Sequence, residues 1–348
     1  LQGNNLIKDM TYQYFCGWDI SKLTLNYCLH DLQGRVVQEG QIKNSSSAIA
    51  ALVKQLHTRF SIAKGAILHS AENTGQYAHP LCQTSAELHF PLWLEDAFQL
   101  NRSMGRRREK NDRIDARGIA EYTRRFTDKA KLYELPSKFQ LKMKHLAKVR
   151  QHILGNAQRS KTMFQEMQQF SLVPIDTRTV EIFNEHLQQM KHQLELIEQQ
   201  IEACIAEADP FIQRKIAVAR SVPGIGPKNS IVILVITGLF ERIPSARKCA
   251  SYAGISPHER QSGTTLRQRF RASRSASRSL KTAFHQGAMS LIQGDNLFNQ
   301  LYRRLRAKGR SHKQAINAVR NKIIKVLYAC LGKDTMYCKK YHQNLQGL

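Results

Sequence analysis

An α/β domain, then a long helical segment, then a mostly helical C-terminal domain is the architecture this sequence predicts. Three observations predict it. Short apolar runs alternate with turns between Tyr12 and Glu95. A glutamine-rich stretch with a heptad seam fills much of residues 136–208. Beyond Ile212, helical spacing recurs between basic loops. Period-two apolar patterns bounded by turns read as strands, and patterns near 3.6 read as helices.

The elements follow in order. Tyr14-Phe15-Cys16-Gly17-Trp18 is a first strand running into Asp19. Residues 23–30 alternate as a second strand, and the turn Asp31-Leu32-Gln33-Gly34 joins them to a third at 35–40. Residues 45–60 carry Ile49, Leu52, Val53 and Leu56 at helical spacing, with serines available as the cap. A strand at 65–69, a helix at 77–88 and a strand at 90–94 complete the set. Strand, strand, strand, helix, strand, helix, strand is the order of a ribonuclease-H-like fold.

In the middle segment Leu187, Met190, Leu194, Ile197, Ile201 and Cys204 form the heptad seam. Leu146, Val149 and Ile153 suggest a partner helix upstream, with Pro174 in the link. An intramolecular helical hairpin and a dimerising coiled coil both satisfy this pattern. In the third segment Val222-Pro223-Gly224-Ile225-Gly226-Pro227-Lys228 lies between two helical stretches and resembles the turn of a helix-hairpin-helix motif. Gly224, Gly226 and Lys228 would let backbone N–H groups and a cation approach a phosphate; a plain helix-helix turn is the other reading. The predicted domains are 10–130, 131–210 and 211–332, with a tail at 333–348.

Composition narrows the function. The 348 residues hold 53 Lys+Arg against 27 Asp+Glu, a formal net charge of +26, and 42% hydrophobic residues. A globular protein with a polyanionic partner is implied, and nucleic acid fits best because the basic residues run along the whole chain. A ribosome-associated or simply basic protein is the alternative. The seven cysteines are odd in number and include no C-x-x-C pair, so neither a zinc site nor a disulfide framework is indicated. They read as small core residues of a reducing cytoplasm. No signal peptide is visible, and the most apolar run, residues 231–240, is far shorter than the roughly 18 residues a membrane span needs. Met10 reads as the natural start, which makes residues 1–9 an extension foreign to the fold.

In so basic a chain, Asp19, Glu72, Asp112 and Asp115 stand out. The predicted fold places Asp19 on its first strand and Glu72 at the end of its fourth. Asp112 and Asp115, three apart, share one face of a helix after the last strand. Carboxylates from separate elements suit Mg²⁺, a hard cation that takes oxygen ligands. Two such ions assist in-line displacement at a phosphate. Taken singly, each acid also reads as ordinary: Asp112 as a helix cap, Asp115 as a partner of Arg113 or Arg117, Glu72 as a solvated strand end. Glu95 and Asp96 are reserve candidates.

Arg106, Arg107 and Arg108, with Arg102, Lys110, Arg113 and Arg117, surround the acidic pair and would hold a phosphate backbone beside it. Residues 260–281 contain seven basic residues and no acid; Arg267, Arg269, Arg271 and Arg274 are its centre, interleaved with serines and threonines. Residues 303–325 are also free of acids. One charge run usually marks a solvated face; three favour nucleic-acid contact.

These residues resemble the insertion-sequence-110 transposases and the related pilin-gene inverting recombinases. G-W-D-I-S-K, A-E-N-T-G-Q-Y and N-D-R-I-D-A-R resemble that family's DEDD domain, which has a RuvC-like fold. S-V-P-G-I-G-P-K, A-R-K-C-A-S-Y-A-G-I-S-P and Q-S-G-T-T-L-R resemble its C-terminal transposase domain. The resemblance implies that Asp19, Glu72, Asp112 and Asp115 bind Mg²⁺, as one ion or two. It also implies that Ser262 attacks DNA to form a covalent phosphoserine link, a role the serine-rich surroundings would not have singled out. It further implies donor and target DNA as substrates, a structured noncoding (bridge) RNA as guide, a homodimer or tetramer, and action on the bacterial nucleoid in the cytoplasm. One departure is Leu94-Glu95-Asp96, where a neutral pair is expected. A hydrolytic RuvC-like nuclease or junction resolvase, an invertase without guide RNA, and a non-catalytic nucleic-acid-binding protein are the alternatives.

Overall fold

Alternation along Tyr14–Ile20 (β1) sends Cys16, Trp18 and Ile20 to one face of a sheet and Phe15, Gly17 and Asp19 to the other. A computed structural model describes residues 12–63, 65–103, 111–256, 261–262, 266–267 and 276–338. The chain divides into two units, residues 1–135 and 136–348. In the first, β1 is the middle strand of a five-stranded sheet ordered β3-β2-β1-β4-β5. Thr24–Asp31 (β2) and Val36–Lys43 (β3) run antiparallel through hairpins. Ile67–Glu72 (β4) and Leu92–Glu95 (β5) run parallel to β1. This is the ribonuclease-H-like order that the sequence predicts, with strand ends shifted by a few residues.

One face of the sheet is covered by Ser46–Arg59 (α1) and His79–Leu88 (α2). Ser45 caps α1, its hydroxyl accepting the Ala48 N–H at 3.3 Å. The helix expected over 77–88 splits into a 3₁₀ turn, Gly75–Ala78, and α2, which carries Pro80 in its first turn. Beneath these helices the buried Trp18 indole donates to His69 Nδ1 at 3.1 Å. Burial pushes His69 down to about 3, so its ring stays neutral in the core.

The opposite face is covered by Asp112–Arg125 (α4), capped by Asn111, whose side chain accepts the Arg113 N–H at 3.0 Å. Its buried stripe is Ala116, Ile119, Ala120 and Thr123. The helix backbone lies directly on β1: a methyl group at Gly17 would fall on the Ala116 carbonyl and the Ala120 amide. Ser70 of β4 is hydrogen-bonded to Thr123, fixing the helix against a second strand. A short helix the sequence reading did not anticipate, Ala97–Ser103 (α3), follows β5.

The second unit is helical. Lys138–Phe170 (α5) starts at a Ser137/Gln140 capping box, and Thr177–Ala206 (α6) at Asp176. They pack antiparallel, early α5 against late α6: Arg150 pairs with Glu198 at 2.7 Å, and Phe164 stacks on Phe183 at 4.0 Å between centroids. The hairpin reading of the heptad seam therefore describes this chain's own packing. Ile201 and Cys204 are buried; Leu187, Met190, Leu194 and Ile197 are half-buried. The far tip leaves Phe170, Leu172 and Val173 exposed.

Met143, Ile201 and Ile205 of this hairpin share a core with Pro210–Ser221 (α7), Pro227–Thr237 (α8), Ala246–Tyr252 (α9), Arg278–Leu291 (α10), Leu297–Ala307 (α11) and His312–Gly332 (α12). Two-residue strands Gln261–Ser262 (β6) and Leu266–Arg267 (β7) pair between α9 and α10. Among the described residues the cysteines are free, buried except for Cys338, and no helix is long and apolar enough to cross a membrane.

The contact at Gly17 yields a direct test. Gly17→Ala places a methyl group against backbone that cannot rotate away, so it should destabilise the protein by roughly 3 kcal/mol or more, in the upper range of overpacking costs. Urea denaturation checks this; an unchanged midpoint would mean that α4 does not rest on β1.

Candidate active site

Strand register sets the first two acids side by side. Trp18 pairs with Ala71 across the parallel β1–β4 ladder, so Asp19 and Glu72 are the next residues on each strand. Period-two alternation turns both toward the α4 face, Asp19 with Phe15 and Gly17, Glu72 with Leu68 and Ser70. Asp112 lies one helical turn before Ala116, the residue that meets Gly17, so the start of α4 lies toward the Asp19 end of β1. Asp115 sits in the same first turn, where the helix dipole favours negative charge.

The charges feel one another. Asp19 is half-buried, and its carboxyl is pushed up to about 6, first by burial and then by the carboxylates of Asp112, Asp115 and Glu72. A hydrogen bond from the Ile20 N–H opposes that rise. Among the described residues no ion pair joins any of the four to a basic side chain. The arginines nearest in sequence are engaged elsewhere: Arg113 and Arg117 both bond Glu39 of β3, at 3.0 and 2.5 Å. Arg117 grips Glu39 with two nitrogens and holds its carboxyl below the usual range. This corrects one sequence reading: Asp115 pairs with neither arginine among the described residues. Asn111, not Asp112, is the helix cap.

The reserve acids have local duties. Glu95 pairs in register with Glu72, but its carboxylate accepts the Tyr122 hydroxyl at 3.0 Å and the Asp96 N–H at 2.8 Å. Burial, followed by that bond to Glu95, pushes Tyr122 up to about 12. Asp96 caps α3, accepting the Phe98 N–H at 2.9 Å.

Do these residues fit a metal? Among the described residues no three His, Cys, Asp or Glu side chains close a ready-made cage. The donor set is nevertheless four oxygen-bearing acids, mutually repelling and without cationic partners. Mg²⁺ suits such a set, because it keeps waters and substrate oxygens in its shell and does not need an all-protein cage. A set of oxygens alone, without the histidine or cysteine that zinc sites ordinarily include, suits magnesium better than zinc.

Other expected residues fall in different places. Ser262 lies in β6, its backbone paired with Leu266 of β7, and Arg267 lies in β7 opposite Gln261. Arg106, Arg107, Arg108, Arg269, Arg271 and Arg274 lie outside the described residues. Gly224 has φ +85° and packs on Gly287 of α10; a methyl group there would meet Leu291 Cδ1 at 2.9 Å. Its glycine is thus explained by packing. Gly226 is the extended cap of α8, with open space where a Cβ would stand. Lys228 is exposed and pairs with Glu198 at 3.5 Å. Sequence reasoning missed the close approach at Gly17 and the role of Glu39. Gly17 lay within a quoted motif; for Glu39 no local signal exists, because its partners are on a distant helix.

Comparison with known proteins places this geometry. Residues 16–170 match the profile of the IS110 DEDD domain, described as a transposase, and residues 217–303 match the profile described as Transposase IS116/IS110/IS902 family. The pilin gene-inverting protein of Moraxella lacunata is 25% identical over 277 residues, 78% of this chain and 82% of that protein. The Moraxella bovis pilin gene-inverting protein matches to the same extent. An uncharacterized 43.6 kDa protein of insertion element IS110 from Streptomyces coelicolor is 36% identical over 141 residues, 40% of this chain and 33% of that one. Among solved structures, T. thermophilus RuvC in complex with Holliday junction substrate superposes at a TM-score of 0.28 with 14% identity, covering 35% of this chain and 100% of RuvC.

Because Asp19 is pushed up, the metal-free protein should lose stability as pH rises. The unfolded chain gives up this proton near the ordinary value of 3.8, whereas the folded protein keeps it until about 6. The contribution is therefore full below pH 4, falls between those values, and is flat above them. Asp19→Asn removes this decline. Melting temperatures of both proteins across pH 4–7 in chelator check it; parallel curves would show that the Asp19 carboxyl is not raised.

Proposed function

The chain belongs to the IS116/IS110/IS902 family of transposases and is a DNA recombinase, and we propose that it cuts and rejoins strands with Ser262 as the nucleophile and with divalent ions held by Asp19, Glu72, Asp112 and Asp115. The observation that carries this reading is strand register that sets Asp19 beside Glu72, with an Asp19 carboxyl raised first by burial and then by the charges of Asp112, Asp115 and Glu72. A basic protein gathers unpaired carboxylates at some cost in stability, and magnesium offsets that cost. When bound, Mg²⁺ neutralises phosphate charge and favours the ionised form of a nearby hydroxyl.

The residues themselves then have distinct roles. Asp19 and Glu72 hold their positions through strand register; Asp112 and Asp115 hold theirs through the first turn of α4. The Ser262 Oγ bonds to phosphorus as the bond from phosphorus to a sugar oxygen breaks. The serine proton is lost to solvent or a base, and the sugar oxygen takes one up as it leaves as a hydroxyl. A second strand's hydroxyl reverses the step at the phosphoserine, freeing Ser262 and sealing the new joint. Energy of the phosphodiester is conserved throughout, so no nucleotide cofactor enters.

Donor and target DNA are the substrates in this reading, and a structured noncoding RNA is the guide. The support is the charge of +26, which suits polyanionic partners. Base pairing would then choose the site, and the protein would hold backbones. Assembly as a dimer or tetramer fits the exposed apolar tip of the α5–α6 hairpin, where Phe170, Leu172 and Val173 face solvent. The two pilin gene-inverting relatives, aligned over 78% of the chain, favour a second reading, a DNA invertase.

Incubating the protein with labelled donor DNA and Mg²⁺ separates these roles. Ser262→Ala should abolish the covalent protein–DNA adduct on denaturing gels, and Asp112→Ala should abolish both adduct and cleavage. Persistent cleavage by Ser262→Ala would indicate that water is the nucleophile. Full activity of Asp112→Ala would remove the metal site. Sequencing RNA that co-purifies with the wild type distinguishes guided from unguided recombination.

A further inference from the structure

Arg320, on α12, is a half-buried cation without a counter-charge among the described residues. Its Nη2 donates to His285 Nδ1 of α10 at 3.0 Å, and its Nη1 reaches Asn317 Oδ1 at 3.4 Å. Its buried Nε has no hydrogen-bond partner among the described residues. Because an arginine stays charged, it is the donor to His285, whose own proton therefore sits on Nε2. That imidazole is kept neutral by burial first and then by Arg320, His312 and Lys281, so it supplies no negative charge.

The same unit contains its own controls. Arg150, 6% exposed, meets Glu198 through two nitrogens at 2.7 and 2.9 Å. Arg220 meets Glu202 through two nitrogens, both at 2.7 Å. Elsewhere in this unit, then, the fold supplies a carboxylate to a sheltered guanidinium. For Arg320 it supplies an imidazole and an amide, which orient the group without neutralising it. Withdrawing a cation from water without a partner is costly, and the anion that suits a guanidinium fork is a carboxylate or a phosphate. A side-chain carboxylate is scarce here: no acid lies between Glu259 and Asp295, or between Asp295 and Asp334.

Position names the phosphate's owner. Asn317, one turn before Arg320, donates its side-chain N–H to the Ile255 carbonyl at 2.7 Å. The chain leaves this wall just after Ile255, carries Ser262 and returns at Ser277, whose N–H bonds the Tyr252 carbonyl at 2.8 Å. Both roots of the segment bearing Ser262 are thus tied beside the helix that presents Arg320. We propose that Arg320, oriented by His285 and Asn317, is a positioning residue that binds a phosphodiester of the DNA strand on which Ser262 acts. This rests on the reading of Ser262 given above, but the contact can be measured without strand exchange.

The full chain, a labelled DNA duplex and a salt titration of affinity provide the test, with Arg320→Met and Arg320→Lys compared with wild type. Arg320→Met should bind DNA more weakly and lower the slope of log affinity against log salt by about 0.9, the change expected for one lost phosphate contact. Without DNA it should melt no lower than wild type, because an unpaired buried charge has been removed. Arg320→Lys should keep the slope but lose part of the adduct yield, since a lysine does not fork. Added guanidinium at millimolar concentration should restore adduct formation in Arg320→Ala. An unchanged salt slope in Arg320→Met, or a lower melting temperature with unchanged binding, would overturn the proposal and make Arg320 structural. A slope change confined to a structured RNA probe would overturn the assignment to DNA. Wild type that forms no adduct while Arg320→Met still shows the altered slope would sink the Ser262 reading and leave the phosphate contact standing.

Discussion

The approach of α4 to the sheet depends on one missing side chain. Gly17 presents bare backbone to Ala116 and Ala120, and those two small residues let the helix settle onto β1. Cys28 on β2 completes this patch of small side chains. A helix packed over ordinary side chains would stand roughly 10 Å from a sheet, and its first turn would be carried away from the strand ends. Here the separation is smaller, and acids from a strand and a helix come within each other's field. The Ser70–Thr123 hydrogen bond fixes the rotation of the helix, which leaves Asp112 exposed and Asp115 half-buried.

The distribution of charge around this contact is selective. Several carboxylates near and beyond it have arginine partners: Glu39 takes Arg113 and Arg117, Glu121 takes Arg124 and Arg125, Glu198 takes Arg150. The four acids at the strand ends have none among the described residues. Glu39 draws two of the arginines of α4 to the far side of β2. Arg320 presents the mirror case, a cation that the fold orients but does not neutralise.

Much of this was legible in the sequence, for physical reasons. Strand alternation is a local property, so β1 through β5 could be read with modest errors at their ends, and α1 could be read with its serine cap. The acids could be named because motif spacing carried the resemblance. Their mutual effect could not be read, because it arises from register between β1 and β4, separated by more than forty positions of chain. The helix expected at 77–88 began late because proline in its first turn sets the start. Glycine at 224 was read as a phosphate-approach residue, but its neighbour Gly287 lies in a helix far along the sequence, and only the packed structure shows why neither can carry a side chain. The seam of α6 left hairpin and coiled coil open because either partner satisfies the same apolar stripe; the Arg150–Glu198 pair shows which one this chain uses internally.

The three strands that end at the acids, β1, β4 and β5, all point the same way. Their C-terminal tips lie together at one edge of the sheet. Residues 96–111, which join β5 to α4, can lengthen or shorten at little entropic expense, since closure entropy grows only with the logarithm of length. A chain built on this plan can therefore change the length of that connection while the strand-borne acids remain fixed. Reach and chemistry are separately adjustable.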